Sequence, residues 1–191
     1  MKKEERHKAI AIPVTFVDDK PKFLTVRDRR FKEWIFVTGG CRKREIFNPI
    51  RCALRELDEE TRGVVNLKSG NYTHFVFETT ERSPEELDAD KKAGIHVTLV
   101  YNVYIFFVKI NQSEQSRMVK SFNDEKAKMD ARKRDKLPIK RTFDENDFMA
   151  FDTLESFSKK HRWPMIVEKI INNPDFYVAL NTLNKKSFNI R

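Results

Sequence analysis

The run Arg55-Glu56-Leu57-Asp58-Glu59-Glu60 places four carboxylates in five positions of a chain whose net charge is +9. Asn48-Pro49 reads as a helix start, and apolar residues at 50, 53, 54 and 57 give an amphipathic helix from about Pro49 to Thr61, with Gly63 just past its end. On that helix Glu56, Glu59 and Glu60 stand at i, i+3 and i+4 and share one face. Like charges at these spacings repel by a few tenths of a kcal/mol per pair, about 0.2–0.5, so stability alone gives no reason for the cluster. A solvated acidic face is the bland alternative. A hard divalent cation such as Mg²⁺ or Mn²⁺ removes the repulsion, keeps several of its waters and draws its other ligands from substrate phosphates. The chemistry suggested is metal-assisted attack on a phosphate-bearing substrate.

Other elements must position this helix. His7–Val17 and Lys22–Asp28 read as strands joined by a turn, a hairpin pattern. A third strand, Glu33–Gly40, runs into Gly39-Gly40, where the backbone can approach another group closely. After the helix, Val64–Leu67 resumes an extended pattern, and Thr73–Thr80 and the long run His96–Ile110 read as strands around a polar insertion at 81–94. Phe148–Leu154 is a late strand, followed by helical patterns at 154–161, 165–172 and 176–183. With no repeat, 191 residues suit a single α/β domain spanning 1–191.

Between Asn111 and Phe143, Lys and Arg residues outnumber the acids two to one, and the stretch 124–136 has the composition of a basic helix. With a sequence pI near 9.5 this points to a polyanionic partner. The apolar run 97–108 is too short to span a bilayer, and the first residues carry no apolar leader, so a soluble, cytoplasmic protein without a membrane partner is expected. Cys41 and Cys52 offer neither a disulfide framework nor zinc-ligand spacing.

The stretch from Gly39 to Val64 resembles the Nudix box: Gly, five residues, Glu, seven residues, Arg-Glu, an aliphatic residue, any residue, Glu-Glu, any residue, Gly, aliphatic. Gly39 and Glu45 fit its opening, Arg55-Glu56-Leu57-Asp58-Glu59-Glu60 its core, and Gly63-Val64 its close. Two departures are insertions beside the helix: nine residues rather than seven separate Glu45 from Arg55, and Thr61-Arg62 puts two residues before the glycine. The resemblance implies an α/β/α sandwich around a mixed sheet, with a basic insertion at 111–143. It implies that Glu56, Glu59 and Glu60 bind the cation, that a carbonyl near Gly40 assists, and that Arg55 pairs with Glu45. It also implies hydrolysis of a nucleoside diphosphate linked to another group, as water attacks phosphorus and a carboxylate takes its proton. Glu59 is one candidate base; Glu145, in Asp144-Glu145-Asn146-Asp147, is the other.

The box does not choose the substrate. In the favoured reading the substrate is the 5′ cap of an mRNA, with Arg132, Lys133 and Arg134 tracking the RNA phosphates. Trp34, with Phe36, Phe75 and Phe77 as neighbours, would stack a base or sit in the core. The alternatives are ADP-ribose, for which the basic surface would be incidental, a diphosphoinositol polyphosphate, and, in another class, an RNA-binding module without catalysis. The box and its flanks also resemble those of Nudix proteins of large DNA viruses, of baculovirus and iridovirus type, which would place the protein in host cytoplasm.

Overall fold

The computed structural model describes residues 1–67 and 70–188. β1 (Lys2–Val17) and β2 (Lys20–Asp28) form the expected hairpin, and Asp18 and Asp19 supply the positive φ angles that its tight turn requires. The third stretch is two strands, β3 (Trp34–Ile35) and β4 (Val37–Gly40), rather than one. β3 pairs with β2; beyond Phe36 the chain changes partner, and β4 pairs with β1 through residues 8–11. One edge of β1 is thus divided between β4 and β2, while β6 (Ile95–Phe107) runs parallel to it from residue 2 to residue 14. β5 (Tyr72–Thr79) closes the order β3-β2-β1-β6-β5, and β7 (Asn146–Asp152) lies antiparallel to β2.

Helices flank this mixed seven-stranded sheet in an α/β/α arrangement. α1 (Pro49–Glu60) lies on β1 and β4, burying Cys52, Ala53 and Leu57 completely. α2 (Pro84–Lys92) falls within the presumed polar insertion. Ser83 accepts the Glu86 amide there and Glu86 reaches back, a capping box that the sequence Ser-Pro-Glu-Glu carries. α3 (Gln112–Arg134) is the basic segment folded as a single helix packed against β7, with Phe122 fully buried and Met129 buried beside it. α4 (Leu154–Ser158), α5 (Pro164–Ile171) and α6 (Pro174–Phe188) complete the chain, α6 covering β5 and β6. Val64–Leu67 is not the expected extended segment: left-handed Arg62 and Gly63 turn the chain after α1, it bends at Val64 and Val65, and it pairs with no strand among the described residues. Among the described residues no helix is long and apolar enough to cross a membrane.

Candidate active site

Glu56, Glu59 and Glu60 share a face of α1, but that face is covered rather than exposed: their relative exposures are 9%, 7% and 7%. Gly39 explains how the first is seated. A Cβ at this position would collide with the Glu56 carboxylate, so the missing side chain is the cradle in which Glu56 lies. Arg55 ties the opening of the box to its core. Its Nε and Nη2 donate to both oxygens of Glu45, at 2.8 and 2.9 Å, and Nη1 donates to Glu56 at 2.6 Å and Glu59 at 3.1 Å. The two extra residues do not separate Arg55 from Glu45, because the chain turns at residues 46–48, with the Asn48 amide bonded to the Glu45 carbonyl, before it enters α1; the Arg42 amide donates to the Glu45 carboxylate. The Arg55 guanidinium holds the Glu45 carboxyl down at about 2.

Burial acts oppositely on Glu60, Glu56 and Glu145. Glu60 is pushed well above the usual carboxylate range by burial, although the Asn146 amide donates to it at 3.1 Å. Glu56 is raised by burial against the pull of Arg55, and Glu145 by burial and then by the charge of Glu59. Glu145 in turn adds its field at Glu56 and Glu60, so four carboxylates act on one another from two elements. Glu145 is itself the exposed member, one residue before β7, with its carbonyl held by the Arg29 amide at 2.9 Å.

Sequence reasoning missed two supporting residues. Asn146, hidden among the acids of its loop, bonds Glu60. Arg62, within the insertion that breaks the box pattern, is 4% exposed; it donates to the Asn146 carbonyl and lays its guanidinium 4.1 Å from the Phe122 ring. Among the described residues its Nε and Nη1 have no hydrogen-bond partner, a cost accepted where the guanidinium bridges the end of α1, α3 and β7. Asp144, also buried, binds Lys133 at 2.5 Å and Arg29 at 2.8 Å. α3 is thereby fastened to the loop that carries Glu145.

Of the expected substrate contacts, Lys133 is occupied by Asp144, and Arg132 donates twice to the Pro138 carbonyl, at 2.9 and 2.8 Å; Arg134 is exposed. Trp34 is half-buried under Lys160, whose Nζ lies 3.5 Å from its ring, with Phe148 6.5 Å away. Phe36 and Phe75 belong to the core, and Phe77 stacks on Tyr101. The Gly40 carbonyl accepts from Arg55 at 3.0 Å, and Gly63, at φ +74°, turns the chain out of α1. Two side chains not anticipated at the site, Arg42 and Lys140, approach the same Glu59 oxygen, at 3.6 and 4.0 Å.

The donor set suits a hard divalent cation. Glu56 and Glu59 already converge on one positively charged nitrogen of Arg55, and the buried Glu60 carboxyl needs positive charge to ionise. Among the described residues no cluster of three acids, histidines or cysteines is closed into a cage; Arg55 stands between two of these carboxylates.

A mixed sheet flanked by helices, with an acidic helix docked under a glycine pair, defines the class, and the family follows. The NUDIX domain model matches residues 5–146. The chain belongs to the NUDIX domain family, and with the acids of its box complete it is a pyrophosphohydrolase. Its fold is similar to that of the NUDIX domain of Shewanella oneidensis NrtR complexed with ADP ribose (11% identity, TM-score 0.54, covering 94% of this chain and 89% of that one). It is also similar to a NUDIX hydrolase from Nitrosomonas europaea (16%, 0.50, 92% and 90%). A third likeness is to the C-terminal domain of mouse MUTYH in complex with human PCNA (14%, 0.51, 94% and 91%). At these identities the likeness is one of fold. No curated protein matches the sequence.

Proposed function

We propose that the chain hydrolyses the pyrophosphate bond of a nucleoside-diphosphate-linked substrate whose remaining part is an RNA, so that the 5′ cap of RNA is its target. The observation that carries this reading is the cationic mouth: Arg42 and Lys140 both approach Glu59 from outside the acid cluster. Such a rim favours a substrate with more negative charge than one pyrophosphate. The likeness of the box to those of large DNA viruses belongs to the same reading, as does a cytoplasmic site of action.

Glu56, Glu59 and Glu60 would hold Mg²⁺ or Mn²⁺, with the Gly40 carbonyl as a further oxygen donor. Bound there, the cation would neutralise pyrophosphate oxygens and lower the pKa of water. Glu145 takes the proton of the attacking water, with Glu59 as its rival. Although the residue as a whole is exposed, partial desolvation of its carboxyl and then the charge of Glu59 raise Glu145, which brings it closer to the range where a carboxylate is an effective base. Arg55 bridges Glu56 and Glu59 through one nitrogen and is a positioning residue. Asn146 and Gly39 fix Glu60 and Glu56 in place, and Arg42 and Lys140 leave Glu59 to meet substrate phosphates.

A second reading, ADP-ribose hydrolysis, draws on the ligand of the NrtR domain. Hydrolysis of capped RNA and of ADP-ribose, each with Mg²⁺ and with Mn²⁺ and with products identified by mass, decides between them. Release of a nucleoside diphosphate from capped RNA supports the proposal; turnover of ADP-ribose alone overturns it.

A further inference from the structure

The strongest feature outside the acid cluster is the loop that leads to it. Arg42, Lys43, Arg44 and Arg51 are all exposed, and among the described residues Lys43, Arg44 and Arg51 have no acid within ion-pair distance, whereas Arg42 reaches Glu59. In their midst Phe47 is 94% exposed. The residue lies in the stretch between Glu45 and Arg55 where the chain is two residues longer than the Nudix pattern.

The loop is not loosely attached. Glu45 is buried in its bonds with Arg55, the Asn48 amide donates to the Glu45 carbonyl at 2.9 Å, and the Arg51 amide to the Asn48 carbonyl at 3.0 Å. Phe47 is held out by fixed backbone on both sides. Arg51, Arg55 and Glu59 follow one another at four-residue intervals along α1, so Arg51 lies about 12 Å along the helix from Glu59.

We propose that this loop is a binding surface for single-stranded RNA, in which Phe47 stacks a base and Lys43, Arg44 and Arg51 take the backbone phosphates of the strand whose 5′ end lies at the acid cluster. Proteins that bind single strands without sequence preference combine these parts: a positive track and aromatic rings for stacking. Direction comes from Arg42, which joins the track to the catalytic centre. One solvated phenylalanine is little apolar area for a membrane anchor. The inference deepens the capped-RNA reading and rests on it for the direction of the strand.

The test is fluorescence anisotropy of a short, labelled, single-stranded RNA with a 5′ hydroxyl, without divalent cation, over a range of KCl concentrations. Phe47→Ala should weaken binding by about 5- to 100-fold, the range for loss of one stacked base. The variant Lys43→Ala/Arg44→Ala/Arg51→Ala should reduce the slope of log K against log salt by about 2, at about 0.7 per phosphate contact. Both should keep the parental circular dichroism and melting temperature, since all four side chains are exposed. Parental affinity and slope in both variants overturn the proposal. So does a parent that ignores RNA but sediments with phosphatidylserine vesicles in a Phe47-dependent way. Hydrolysis of capped RNA, run in parallel, separates the two ideas. A parent that cleaves capped RNA while the variants bind RNA normally loses this surface but keeps its substrate. A parent that binds through the loop yet leaves capped RNA intact keeps the surface and loses the substrate.

Discussion

Two regions of the chain are strongly basic, and the fold uses their charge differently. Along α3, Lys120 pairs with Asp124, Lys126 with Asp130 and Lys128 with Glu125, all on the helix itself, while Lys133 is bound to buried Asp144. The helix is anchored by Phe122 and by the Arg62 guanidinium against that ring. The segment 42–51, a loop that leads into the first turn of α1, has fewer cations, but three of them have no acidic partner among the described residues, and its one aromatic side chain is almost wholly exposed. The difference shows why a count of Lys and Arg overstates a binding surface. Cations spaced three or four residues from acids on a helix neutralise one another locally, whereas cations on a short loop beside a single committed acid keep their field. α3 acts as a buttress for the Glu145 loop, and the smaller region faces outward.

Both regions border the same acid cluster, so the largest predicted effect is there. Glu60→Gln and Glu56→Gln should each lower turnover on the order of 10²- to 10⁴-fold, several kcal/mol of lost charge stabilisation. Glu60→Gln should also change stability. Its folded-state pKa is raised, so the carboxyl favours the folded protein below the unfolded value of about 4.3 and loses that contribution as pH rises through the folded value. Melted without divalent cation, the parent should lose stability from pH 5 to 8 more steeply than Glu60→Gln, and added Mg²⁺ should raise the melting temperature of the parent only. Equal turnover in the parent and both Gln variants would remove the centre on which the comparison depends.

Glu145→Gln should cost about 10²- to 10⁴-fold in kcat with KM little changed, the range for removal of a general base. Parental turnover at saturating metal would give that role to Glu59, and α3 would no longer be bracing a catalytic loop. Gly39→Ala should cost about 10²-fold, because the added methyl displaces the end of a flexible Glu56 side chain while the backbone stays in place. Kinetics with an unshifted melting curve would check this.

Lys133→Ala sharpens the contrast directly. Loss of its bond to buried Asp144 should destabilise the fold by about 1–3 kcal/mol in urea unfolding, with only a small change in RNA affinity. The smallest effect is expected for Arg132→Ala/Lys133→Ala/Arg134→Ala on the salt slope of RNA binding. With two of the three side chains committed within the chain, the slope should fall by no more than about 0.7. A fall of about 2 would make the helix the track and erase the distinction between the two regions.

The sequence alone determined the acidic face of α1. Glu56, Glu59 and Glu60 are separated by local helical spacing, and Pro49 and Gly63 mark the ends of the helix through backbone preferences that act within a turn. The strand patterns likewise placed most of β1, β2, β5 and β6, since alternation and β-branched content are local signals. Tertiary structure decided whether those acids were exposed and which cations were available, because burial and pairing depend on segments distant in the chain. Asn146 reaches Glu60 across 86 positions, and Arg62 meets Phe122 only because α3 folds back over the end of α1. The division of Glu33–Gly40 into two strands had the same origin: nothing in that stretch signals that β1 offers its edge to β4 first and to β2 beyond. Phe47 could have been an ordinary core aromatic by composition; only the packing of its neighbours, which bury Glu45 and leave the ring in solvent, decided that it projects.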